Sequence, residues 1–261
     1  MEISSSVKKP IIEESVSYGL QDSNDYLKEL VQTKKIYQLS ILVILSALTI
    51  YTPYGSVVNI LVGDINGIFK PIVGAIFFTT PVTIAFAYIF REQRSLLFKK
   101  VTFQLYKKSM FYALCVILFV LLMLKGVTMI SSYEPNDNPI LDSSYLAMVL
   151  KLPGLAIQLI GENIIFVSFL LFGYKVMQTI LLRTPVLLGC SFLFAGLCFG
   201  LLHLPTYNFN WMQCVFVIGI PAISHMFIFV RYQNVHLGYW MHFNYDLLAM
   251  AFVFLGKITS S

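Results

Sequence analysis

The chain has 261 residues, 57% of them hydrophobic and only 12% charged, with a net charge of +5 and a mean hydropathy of +0.77. Soluble domains carry about 25% charged residues, so this composition excludes an ordinary water-facing globule and predicts an all-α, polytopic integral membrane bundle. The basic residues lie in short stretches between apolar runs, which excludes a nucleic-acid-binding face.

Residues 1–35 are polar, with six acidic residues and five lysines. They are unlike the short basic leader of a cleavable signal peptide, so the next run is expected to be a retained helix behind a polar cytoplasmic segment. At about 20 apolar residues per crossing, spans are expected at Ile36–Thr52, Pro71–Phe90, Met110–Ile130, Tyr145–Tyr174, Val186–Pro205, Trp211–Val230 and His236–Leu255. Together they make about seven transmembrane helices in one domain over 36–257. The fourth run is long for one straight crossing, and Pro153–Gly154 predicts a kink or partial break there. Cys115, Cys190, Cys198 and Cys214 have no CxxC spacing and are expected as small buried hydrophobes.

Basic residues set the orientation. With a cytoplasmic N-terminus and seven crossings, one side collects Lys8, Lys9, Lys28, Lys34, Lys35, Arg91, Arg94, Lys99, Lys100, Lys107, Lys108, Lys175, Arg183 and Arg231. The third loop, on the other side, is acidic through Glu134, Asp137 and Asp142. The expected location is a bacterial cell membrane, spanned several times.

A central Asp or Lys costs about 2.5–3.5 kcal/mol on insertion scales, so polar groups at membrane depth are candidates for function. Four stand out in the C-terminal half: Glu162, His203, His242 and Asp246. Glu162 interrupts an apolar helix. His203 shares a helical face with Phe199, and Gly196 and Gly200 allow a second helix to approach closely there. His242 and Asp246 are spaced i,i+4, so they can act together on a water, substrate or metal, or Asp246 can orient His242. His225, mid-helix, is expected to make an interhelical hydrogen bond, and His236 to be interfacial.

These three segments resemble the CPBP family, the CAAX prenyl endopeptidase and bacteriocin-processing (Abi) group of intramembrane proteases. The family pattern is Glu-Glu-x-x-x-Arg, then Phe-x-x-x-His, then His-x-x-x-Asn or Asp. Phe199 and His203 meet the second motif, and His242 and Asp246 the third. The first is met by Glu162 alone, with Asn163 at the second Glu and Val167 at the Arg. The resemblance covers residues 145–250, and His203 and His242 are 39 residues apart.

The resemblance implies an endopeptidase that activates water with Glu162, His203, His242 and Asp246, supported by Asn163 and Phe199. The cofactor is either none or a divalent metal such as zinc. If a metal takes part, the same four residues are its ligands, although the HExxH pair of soluble zinc peptidases is absent. Implied partners are the lipid bilayer, a peptide or membrane-protein substrate, and a membrane partner protein. The alternative is a non-catalytic member acting as a partner, as a regulator or in bacteriocin self-immunity. The protease reading predicts a water-open cavity joining the four residues. Seven straight helices would nevertheless leave His203 and His242 about 16 Å apart in depth.

Overall fold

The computed structural model describes residues 19–63, 69–130, 145–181 and 183–259. The expected acidic loop with Glu134, Asp137 and Asp142, and the basic pair Lys8 and Lys9, lie outside these residues. In chain order the elements are α1 (Leu20–Gln32), α2 (Ile36–Tyr51), α3 (Tyr54–Val62), α4 (Phe69–Ile89), a 3-10 turn (Arg91–Gln93) and α5 (Arg94–Leu97). They are followed by α6 (Phe103–Ile130), α7 (Tyr145–Met177), α8 (Thr184–Leu202), a π-helix (Gln213–Gly219), α9 (Ile220–Tyr232) and α10 (Val235–Thr259). There is no strand among the described residues.

Every expected span contains helix, but length and composition alone support fewer than seven crossings. Five segments are long and apolar enough: α4, α6, α7, α8 and the π-helix with α9. A sixth requires α1 and α2, bent by 96°, to count as one broken span. By itself α2 has 16 residues, and α10 carries His236, His242, Asn244 and Asp246, which dilute its apolar character.

The polar N-terminal segment contains an amphipathic helix. Tyr26, Leu27, Leu30 and Val31 of α1 are buried, a spacing that gathers them on one face. That face packs into the main core, which also draws on α2, α4, α7, α8 and α9. The Tyr174 hydroxyl donates to the Asn24 side-chain oxygen (2.8 Å), and Lys175 Nζ donates to the Val31 carbonyl (2.9 Å). These bonds fasten α1 to the C-terminal turns of α7.

α7 is the central helix: 72% of its apolar window is buried, against 22% for α4 and for α6. It runs unbroken through Pro153, contrary to the expected partial break. Proline is tolerated inside membrane helices where neighbours cover the freed backbone groups. Gly154 serves a close contact, since a methyl there would lie 3.0 Å from the Pro71 carbonyl of α4.

The π-helix precedes Pro221, which lacks an N–H and crowds the carbonyl four residues back. The wider winding relieves that conflict, with Ile220 N donating to the Val215 carbonyl. α8 meets this segment through its two small residues. A methyl at Gly196 would fall 2.7 Å from the Gly219 carbonyl oxygen, and one at Gly200 would overlap that of Cys214. Of the cysteines, all free, only Cys214 is buried, and Cys115 is exposed. The expectation of four buried thiols therefore fails, because α6 presents much of its apolar surface outward.

Candidate functional site

The site is built on α10, which two helices hold in register. On the α7 side, Asn163 Nδ2 donates to the Val235 carbonyl and the Tyr239 hydroxyl donates to the Ala156 carbonyl, both at 3.1 Å. On the α6 side, Asn244 Nδ2 donates to Ser109 Oγ (3.1 Å) and the Tyr106 hydroxyl donates to Asn244 Oδ1 (3.2 Å). These contacts fix the rotation of α10, so that His242 faces the middle of α7.

His242 Nε2 lies 3.9 Å from Glu162 Oε2 and 4.0 Å from Asp246 Oδ2. Both separations exceed direct hydrogen-bond length but lie within ion-pair reach. The other Glu162 oxygen accepts a 2.7 Å bond from Gln158 Nε2 one turn earlier, which orients the carboxyl group. Glu162 and His242 are buried, while Asp246 keeps about a quarter of its side chain exposed.

His203 caps α8, and its Nδ1 lies 2.9 Å from the Phe199 carbonyl oxygen. Since a carbonyl only accepts, Nδ1 carries the proton and Nε2 is free to accept in the neutral ring. The imidazole thus folds back along α8, which recovers depth toward the middle of the bundle. It lies within Coulombic range of both Glu162 and His242. Between His203 and His242 runs a chain of tilted and edge-on ring contacts. His203 rests on Phe199 (centroids 4.5 Å), Phe199 on Phe166 (3.9 Å) and Phe166 on His242 (5.1 Å).

His242 therefore stands beside Glu162 and Asp246, while His203, supported by Phe199, reaches them only through Phe199 and Phe166. Asn163 is spent on the Val235 carbonyl instead of the carboxylates. Val167, which stands where the CPBP pattern has Arg, is buried in the apolar core. His225 is a further member. It is 3% exposed, its ring lies 4.5 Å from that of His242, and it stacks parallel to Phe166 at 5.6 Å. The hydrogen bond expected of its ring is absent at Nδ1, which has no partner. His236 is exposed, with Nδ1 3.0 Å from the Lys99 carbonyl oxygen.

The two grooves that stand out on the surface lie at Phe103, Phe111 and Leu248, and at Ile180, Leu181, Arg183 and Val186. Neither touches the site. Among the described residues, no three or more His, Cys, Asp or Glu side chains are arranged to hold a metal ion. The donors described do not fit zinc.

No family model matches the chain, and neither a curated protein nor a solved structure matches it.

Proposed function

We propose that this protein is an intramembrane endopeptidase of the CPBP type, hydrolysing a peptide or membrane-protein substrate with water activated by Glu162 and His242. The observation that carries the reading is His242 Nε2 set between the carboxyl groups of Glu162 and Asp246 at 3.9 and 4.0 Å, inside an apolar bundle. An isolated polar group there is costly, and three acid–base groups converging from two helices are the raw material of general base catalysis.

The Glu162–His242 pair takes one proton from water as the water oxygen bonds to the carbonyl carbon. His203, whose Nε2 only accepts in the neutral ring, flanks the pair as a further polar group. The C–N bond then breaks, and the proton is delivered to the leaving nitrogen. Asp246 holds His242 in orientation. The chain crosses the membrane seven times with its N-terminus in the cytoplasm, a reading supported by the one-sided distribution of its basic residues.

Asn163 and Val167 favour a second reading. Without the family's second acid and its cation, the site fits a non-catalytic member that binds a partner protein, including an immunity role. Comparing the membrane proteome and secreted peptides of wild type and Glu162→Ala separates the two. Loss of a cleavage product supports the protease, and unchanged products with a retained cellular phenotype support the binder.

A further inference from the structure

Two nitrogens in this site have no partner. Nδ1 of His225 and Nδ1 of His242 are both fully buried and neither makes a hydrogen bond. Leaving a buried donor or acceptor unpaired costs about 1–3 kcal/mol, and native interiors pair nearly all such atoms. Here the two orphans belong to rings in contact, with centroids 4.5 Å apart and planes inclined by 34°.

Packing explains the shape of His225 but not its nitrogens. The ring lies parallel to Phe166 within 3° and meets Tyr245 edge-on at 5.7 Å. A phenyl ring would satisfy both contacts with no unpaired atom. The nitrogen therefore needs a partner that the chain does not supply.

The nature of that partner follows from His242. The two nitrogens of an imidazole project from opposite flanks of the ring. With Nε2 facing Glu162 and Asp246, Nδ1 faces away from both carboxyl groups. A cation is drawn to the carboxyl flank instead, and an anion gains no positively charged side chain in this cluster. A small neutral molecule that can both donate and accept fits two imidazole nitrogens, and a water satisfies this with two polar partners.

We infer that Nδ1 of His225 and Nδ1 of His242 together seat one buried water molecule, and that this is the water consumed in the proposed hydrolysis. The second half of the inference rests on the protease reading; the first does not. The water donates to His242 Nδ1 and is oriented by His225. In the reaction that proton passes to His242 Nδ1 as the C–O bond forms, and Glu162 and Asp246 steady the resulting imidazolium through Nε2–H. After C–N cleavage the proton leaves on the product amine. His225 is thus a water-holding residue, and Glu162 acts on the water through His242.

The test uses the full chain in lipid nanodiscs with 15N-labelled histidine, following magnetisation transfer from water to the imidazole rings. Wild type should show transfer to both His225 and His242. In His225→Phe, which keeps the stack, transfer to His242 should fall at least about five-fold. Processing should drop by about 100-fold with KM little changed, as for loss of one preorganised hydrogen-bonding group. His225→Gln, whose amide can hold water, should recover part of both signals. Absence of transfer in wild type, or transfer to His242 unchanged in His225→Phe, overturns the seat. Transfer that persists in a protein that processes nothing upholds the seat and overturns the protease reading.

Discussion

Asn163 donates a 3.1 Å hydrogen bond to the Val235 carbonyl, tying the start of α10 to α7 one residue beyond Glu162. Successive helical residues point about 100° apart, so a Glu162 turned toward His242 leaves Asn163 to face a different neighbour. The asparagine that stands where the CPBP pattern has its second Glu is thus a strut. Asn163→Ala should cost about 1–3 kcal/mol by leaving a buried partner unpaired. Asn163→Glu, which introduces the residue of the CPBP pattern, should destabilise the fold further by setting a carboxylate against a carbonyl oxygen. Thermal unfolding in one detergent compares the two, and higher stability for Asn163→Glu would refute the strut.

Close approach of α8 to the π-helix depends on the absence of a side chain at two positions. Gly200→Ala should lose about 1–3 kcal/mol through overpacking against the Cys214 carbonyl. Gly189→Ala, on the same helix with nothing within 4 Å of the added methyl, should be neutral or slightly stabilising. Equal losses at the two positions would show that the contact is not tight.

The proposed seven-crossing topology would place Lys100 and Asn208, both exposed, on opposite sides of the membrane. With the four native cysteines replaced by alanine, Lys100→Cys should react with an impermeant thiol reagent only after the cells are opened, and Asn208→Cys in intact cells. Labelling of both from the same side would remove a crossing between them.

Because the donors are not arranged to hold a metal, processing by the purified protein should survive prolonged chelation. Activity lost on chelation and restored by zinc alone would show that the side chains rearrange around an ion.

The apolar runs made the helices legible, and the i,i+4 spacing of Phe199 with His203 and of His242 with Asp246 marked two faces that both turn toward Phe166 of α7. Three features were hidden for different reasons. His225 lies on its own helix with no spaced polar companion, and its partner His242 is joined to it only through tertiary packing. The apolar face of α1 was masked by the acidic and lysine residues around it, although Tyr26, Leu27, Leu30 and Val31 carry the helical period. Pro153 reads as a break in isolation, yet α4 packs against the following Gly154 and α7 continues.

The central claim is that Glu162 and His242 work as one water-activating unit, and a double-substitution cycle on processing tests it most directly. Glu162→Gln and His242→Phe should each slow cleavage by about 10²–10⁴-fold, as for loss of general base catalysis, and the double variant should be no slower than the slower single. Effects that multiply, or cleavage unchanged in either single variant, would contradict a shared site.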